Sequence, residues 1–260
     1  MMKRDRSAWL EGRKARCAVP APRIPRPWRL VLLGAPGIGK GTQAELLCQH
    51  LGTCHLSTGE VFRAAKCLAE GERSEALTAA LDFMRRGELV PDDTVVAMVA
   101  ERVRCLRCDG GFLLDGFPRT VAQAEALAGL LAAQGLALDG VLSYELPIEK
   151  VVERIGGRRT CSACGAIFHL SARPPRAAGI CDACGAALYQ RDDDRPEAIR
   201  VRLRAYDQST APLTSFYRGQ GLLRPVQVGD TPDETLQRTL AVLNGAVMPA
   251  AAVSGCETRT

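Results

Sequence analysis

Gly34–Thr42, GAPGIGKGT, is the segment of this 260-residue chain whose residue types and spacing most directly imply chemistry. A loop that cradles phosphate needs backbone N–H groups aimed inward, glycines that let an anion approach, and the positive end of a helix behind them. Gly34, Gly37, Gly39 and Gly41 supply the backbone freedom, and Lys40 can reach a β- or γ-phosphate as a mobile point charge. The pattern G-x-x-x-x-G-K-[ST] is met through Lys40; Gly41 then stands where a hydroxyl residue usually follows, and Thr42 comes next. Lys is scarce, five residues against 29 Arg, so a Lys at this place favours a specific requirement. The chemistry implied is phosphoryl transfer.

That chemistry asks a protein for charge neutralisation and in-line positioning more than for covalent work. The candidate cations sit at loop and helix edges. Arg63 follows Ser57-Thr58-Gly59, and Arg119 follows Asp115-Gly116-Phe117-Pro118 at the carboxyl end of a strand, where open α/β sheets place ligands. Arg154, Arg158 and Arg159 enter an irregular stretch, Arg191 leaves it, and Arg202 lies on the helix beyond. Taken singly, each also reads as a solvated surface arginine. Asp115 is placed like an acid that holds Mg2+ through water, with an ordinary turn or helix-capping residue as the alternative.

Cys161-x-x-Cys164 and Cys181-x-x-Cys184 are each followed by Gly. Two such knuckles match a tetrahedral four-cysteine zinc site, closed by protein ligands and therefore structural. Redox activity of either pair is the competing reading. Cys105-x-x-Cys108 has the same spacing but no second pair, and reads as structural. Cys17, Cys48, Cys54, Cys67 and Cys256 show no partner pattern, and His50, His55 and His169 form no constellation.

Positioning these residues requires alternating strands and helices. Leu30–Leu33 reads as a buried strand feeding the glycine loop and a helix that opens at Lys40. Ser57 and Thr58 read as caps of a second helix, and a third runs from Ser74 to Arg86. Helical patterns follow Pro91, Thr120 and Pro147, with strands at Gly111–Leu114 and Val141–Leu146. Residues 156–194 show no helical period. Helices return at Arg195–Gln208 and Ala211–Gly219, then a strand at Leu222–Val228 and a helix at Thr231–Leu243. Such alternation predicts a parallel sheet covered on both faces.

Composition narrows the remaining classes. Apolar content of 47% and charged content of 24% are ordinary for a globular protein, and no apolar run approaches a membrane span. The net charge of +5 is concentrated in residues 1–29, where nine Lys and Arg face only Asp5 and Glu11; the remainder sums to −2. A nucleic-acid-binding domain would carry that excess on its folded surface. Residues 1–28 read as a disordered basic leader and 247–260 as a disordered tail. An odd count of eleven cysteines at uneven spacing does not describe a disulfide framework and favours a reducing, cytoplasmic setting.

GAPGIGKGTQA, LSTGEVFRAA, GFLLDGFPRTVAQAEAL, RIGGRRTCSACG, CDACGAALYQRDDD and the stretch from Tyr206 to Leu213 together resemble adenylate kinase, in its long-lid, zinc-containing form, over about residues 29–244. The resemblance implies an α/β P-loop three-layer fold with a parallel central sheet, in which 29–56, 91–156 and 195–246 form the core. It implies an AMP-binding domain at 57–90 and a zinc-containing lid at 157–194. It implies reversible in-line transfer from MgATP to AMP, giving two ADP, in a monomer that serves adenine nucleotide homeostasis without nucleic acid or membrane. Gly37, Ile38, Gly39, Lys40, Gly41, Thr42, Arg154, Arg158, Ile167 and Phe168 match the family's ATP-binding positions. Thr58, Arg63, Glu88, Leu89, Val90, Gly116, Phe117, Pro118, Arg119 and Gln123 match its AMP-binding positions. Arg191 and Arg202 match arginines that bridge toward AMP and the transferring phosphoryl, and Asp193 and Asp194 match lid acids that take part in closure. Glu60 departs from the family's usual Asp, and the segment from Ala65 to Glu88 is longer than usual. The competing enzyme reading is another nucleoside monophosphate kinase, with GTP as donor or UMP or CMP as acceptor. The competing binding reading is a zinc ribbon for nucleic acid.

Overall fold

The computed structural model describes residues 9–10, 26–65, 71, 73–85, 90–171, 173–191 and 194–245. β1 (Trp28–Leu33) runs into the glycine loop and α1 (Lys40–Leu51). β2 (Cys54–Ser57) passes directly into α2 (Thr58–Ala65), followed by α3 (Glu75–Arg85), α4 (Asp92–Ala100) and the single turn α5 (Val103–Leu106). Next come β3 (Gly111–Asp115), α6 (Val121–Ala132), β4 (Gly140–Glu145) and α7 (Ile148–Gly156). Three short strands follow, β5 (Arg158–Cys161), β6 (Ile167–His169) and β7 (Leu188–Tyr189). The chain closes with α8 (Pro196–Ala205), a π-helical turn over Tyr206–Thr210, α9 (Pro212–Gly219), β8 (Leu223–Gln227) and α10 (Pro232–Gly245).

The central sheet has the order β2-β3-β1-β4-β8, and all its pairings are parallel. Alternation along β1 explains why its apolar run is unbroken. Leu30 and Leu32 join Leu113, Leu142 and Tyr144 against Ala44 and Leu47 of α1 and Leu243 of α10. Val31 and Leu33 turn the other way, joining Leu114 and Val141 against Met98, Leu127 and Tyr217 of α4, α6 and α9. With period two and both faces covered, Leu30–Leu33 are apolar at successive positions without a break. The carboxyl ends of β1 and β3 thereby deliver Gly34 and Asp115 to one edge of the sheet.

Local signals behave as expected at several boundaries. Thr120 caps α6 by accepting from the Gln123 N–H at 3.1 Å, and Pro91 and Pro147 immediately precede α4 and α7. Three features were not anticipated. β2 is a four-residue strand whose sequence, Cys-His-Leu-Ser, has too little apolar content to announce it, although every residue is buried. The aperiodic 156–194 stretch contains an antiparallel sheet, ordered β6-β5-β7. The expectation of a disordered leader also fails at Trp9 and Leu10. Trp9 is 2% exposed and packs in the cluster with Leu56 and Phe112. Its indole N–H donates to Ser57 O at 2.9 Å, and its carbonyl accepts from Arg102 Nε at 2.7 Å. The rest of 1–25, and the tail at 246–260, lie outside the described residues. No described helix is long and apolar enough to cross a membrane.

Candidate active site

The glycine loop leaves β1 and turns into α1. Gly37 adopts φ +79° in the left-handed region, and a Cβ there would collide with Ile155 of α7, so both backbone and packing require glycine. Gly39 caps α1 with no side-chain hydrogen bond, and no acid lies in the first turn, so the first N–H groups of the helix remain for an anion. Among the described residues nothing lies within 4 Å of where a Cβ on Gly39 or Gly41 would stand, which keeps space open above the loop.

Lys40 bends back over the loop, its Nζ donating to Gly34 O at 2.6 Å and Ala35 O at 3.0 Å. Burial, reinforced by Arg119, Arg202 and Arg158, draws its ammonium down to about 8 against the pull of Asp115. Burial works to raise the Asp115 carboxyl, but the His55 imidazole, Lys40 and Arg119 outweigh it and hold it below the usual carboxylate range. His55 Nε2 lies 3.4 Å from Asp115 Oδ2. Residues from the loop, β3, the turn after it, β5 and α8 are thus close enough to shift one another's charge.

The turn after β3 is braced from two directions. Arg119 Nε donates to Gly116 O at 2.9 Å, and the Arg119 N–H donates to Gln123 Oε1 at 2.8 Å. Gln123 Nε2 and Thr120 Oγ1 donate to the two carboxylate oxygens of Asp92, at 2.7 and 2.6 Å. Thr58 is 1% exposed beneath Gly116, where a Cβ would stand 2.7 Å from Thr58 Oγ1 at a φ of +83°. Phe117 is buried in the core, and its bond to Pro118 is cis. Val90 packs half-buried against the same core cluster. Arg63 lies on α2 with its side chain outside the described set, as are Glu88, Leu89 and Asp193.

Asp194, fully buried, lies between β7 and α8. Its carboxylate accepts from Arg158 Nε at 2.7 Å and from Arg158 Nη2 on its other oxygen, with Arg202 Nη1 at 3.5 Å. Such a bidentate guanidinium–carboxylate pair fixes orientation as well as charge. Arg154 Nη2 donates to Gly229 O at 3.1 Å, and Arg191 Nε donates to Thr160 Oγ1 at 2.9 Å. Ile167 is half-buried on β6, whereas Phe168 is buried beside Cys161 and Cys181, with the Arg173 guanidinium 5.6 Å from its ring centre. Sequence reasoning missed His55 and Asp92. Each acts through a partner on another element, and spacing along the chain carries no trace of that.

The four cysteines of the two knuckles converge, their sulfurs all within 4.8 Å of one another. Cys161 and Cys184 approach to 3.4 Å and Cys164 and Cys181 to 3.6 Å. Tetrahedral zinc with Zn–S bonds near 2.3 Å needs sulfurs about 3.8 Å apart, so this set has the geometry of structural zinc. The Cys164 N–H, 3.5 Å from Cys161 Sγ, favours the thiolate and draws Cys161 down to about 6. Outside these sulfurs the apolar cluster is small, with Phe168 the only large side chain buried beside them among the described residues.

The adenylate kinase family model matches residues 32–222. The chain is 50% identical over 216 residues to the adenylate kinase of Anaeromyxobacter dehalogenans, covering 82% of this chain and 98% of that one. It is 49% identical over 214 residues to the adenylate kinase of Geobacter sulfurreducens, covering 82% and 96%. It is 49% identical over 198 residues to that of Carboxydothermus hydrogenoformans, covering 76% and 91%. On the extent of these matches, with a glycine loop on a parallel sheet and a four-cysteine cluster in one chain, this chain belongs to the adenylate kinase family.

Proposed function

We propose that this chain transfers the γ-phosphoryl group of MgATP reversibly to AMP, giving two ADP. The observation that carries this reading is the gathering of Arg119, Arg158 and Arg202 near Lys40, beside Asp115 at the carboxyl ends of the strands, where they add to burial in lowering the Lys40 ammonium. Such crowding is unfavourable unless a polyanion fills it, and two nucleotides with a transferring phosphoryl between them would do so. Lys40 and the α1 N–H groups take the ATP phosphates; Arg119 and Arg202 face the AMP side; Arg158 and Arg191 come from the lid. Asp115 fits a water-mediated Mg2+ ligand, and Mg2+ supplies further charge neutralisation on the phosphates when bound.

The acceptor site runs from Thr58 and Arg63 through Glu88–Val90 to the 116–119 turn. In this arrangement Gln123 holds the Arg119 backbone and is itself held by Asp92, so its contribution to AMP binding includes keeping that turn in place. Residues 57–90 form the AMP-binding unit and 157–194 the lid, with Arg154 behind the ATP site. Phe168 is buried in the lid, so it contributes shape there while its backbone and Ile167 face the nucleotide. Closure of both units would exclude water that could otherwise hydrolyse ATP. A monomer working in the cytoplasm, without nucleic acid or membrane, completes the reading; the net charge of −2 outside residues 1–29 supports it.

The deciding experiment is coupled detection of ADP from ATP or GTP with AMP, UMP, CMP or GMP, with Lys40→Met as control. Activity confined to ATP plus AMP is expected. A wild-type chain without it, or one preferring another pair, overturns the assignment.

A further inference from the structure

Cys54 and Cys108 lie on segments 54 residues apart in sequence, yet their sulfurs stand 2.7 Å from each other. That is nearer to the 2.05 Å or so of a covalent disulfide than to ordinary contact between two sulfurs. Cys54 opens β2, the edge strand, and Cys108 sits in the turn before β3, its carbonyl held by the Gly111 N–H at 2.9 Å. β2 and β3 are paired in register from Cys54 opposite Phe112, so Cys54 is fixed by the sheet and Cys108 by the hydrogen-bonded turn that enters β3. Cys54 is buried, and Cys108 is half-buried, giving one sulfur of the pair a route to solvent.

We propose that Cys54 and Cys108 are a reversible thiol–disulfide site, oxidised by low-molecular-weight disulfides such as oxidised glutathione. The Cys108 thiolate attacks one sulfur of the reagent, forming a mixed disulfide and releasing one small thiolate. The Cys54 thiolate then attacks Cys108 Sγ, closes the Cys54–Cys108 bond and expels the second small thiolate. Two protein thiols lose two electrons, the reagent's S–S bond gains them, and the two protein protons pass to the released thiolates. The bond would close a loop containing α2, α3, α4 and α5, and hence all of 57–90. It forms at the amino ends of β2 and β3, whereas Ser57 and Asp115 mark their opposite ends. Oxidation should therefore raise stability and leave the nucleotide site in place.

The same C-x-x-C spacing makes Cys105, buried three residues before Cys108, the competing partner. The test treats the zinc-loaded full chain with oxidised glutathione, alkylates remaining thiols and maps non-reduced peptides by mass spectrometry. The expected result is a cross-link between the Cys54 and Cys108 peptides, kept in Cys105→Ser, lost in Cys108→Ser, and reversed by dithiothreitol. The oxidised wild-type chain should melt on the order of 5 °C higher, with steady-state constants within about twofold. A Cys105–Cys108 cross-link, a stable glutathione adduct on Cys108 alone, or no loss of alkylatable thiols would each overturn the proposal. The wild-type map decides even if a variant folds poorly.

Discussion

The sheet edge and the lid each gather side chains of one kind that a ligand of opposite charge would draw together, with Arg158 and Arg202 already facing Asp194. At the sheet edge these are Lys40, Arg119, Arg158 and Arg202; in the lid they are four cysteine sulfurs. The frames beneath them differ. The sheet is buried on both faces by two large apolar clusters, so the loop and turn that carry Lys40 and Arg119 are held whether or not an anion is present. The lid core buries Phe168 and two of the cysteines themselves, beside half-buried Ala166, Ala186 and Leu188. A frame with so little apolar area cannot hold like groups in place on its own, so metal binding there amounts to folding energy. One region is built to stand before its ligand arrives, and the other is built by its ligand.

Removing the metal should produce the largest effect and is the sharpest way to break this contrast. After chelation, amide protection in β5, β6 and β7 should fall by orders of magnitude, while β1, β3 and β4 stay protected. Melting temperature should drop by about 10 °C, more than any change in the turnover of enzyme that is still folded. A lid that keeps its protection without metal would show that its frame is self-sufficient. The complementary change at the sheet edge is Lys40→Met, expected to lower kcat by about 10²–10³-fold. Its melting temperature should stay level or rise, because a depressed ammonium is removed from among three arginines. A large loss of stability would mean that Lys40 holds the loop rather than awaiting phosphate.

The two regions were also unequally visible in sequence. The lid's metal set was readable from two C-x-x-C pairs, because ligand spacing is local. The setting of the glycine loop was readable for the same reason, since one strand, one turn and one helix opening carry it. The lid's three strands were not, for they are two to four residues long and gain their pairing partly from turns between the cysteines. At the sheet edge, Asp92 supports Gln123 across 31 residues, and His55 reaches Asp115 from a neighbouring strand. Tertiary pairing creates those relations, and no periodicity announces them. Trp9 was hidden differently, inside a basic, proline-rich stretch whose composition argued for disorder.

Trp9 offers a test of how far the stable frame extends. Trp9→Ala removes a side chain packed with Leu56 and Phe112 and the indole bond to Ser57, and should cost about 3 kcal/mol of unfolding free energy. Deleting residues 1–25 should cost more, because buried Arg102 would then lose the carbonyl that its Nε pairs with. Denaturant titration of both variants measures the difference. Equal stability of all three chains would show that Trp9 adds nothing to the sheet's frame.

The smallest expected effect follows from the crowding itself. Lys40 is held near 8, below its ordinary 10.5, when no anion is present. An unfolded chain binds more protons than the empty native enzyme between those values, so this group makes the empty enzyme more stable as pH rises from about 8 to about 10.5. Nucleotide binding has the opposite sign. Phosphate favours the charged ammonium, so its affinity should weaken as Lys40 deprotonates, by about tenfold between pH 7.5 and pH 9. Calorimetric titration with ADP at constant ionic strength should show that slope in the wild-type chain and a flat profile in Lys40→Met. Parallel slopes in the two would move the titrating group elsewhere, and would imply that Lys40 is less buried in solution than its seat over the loop makes it. The four lid sulfurs do not contribute to that slope, because zinc-loaded thiolates no longer titrate in this range.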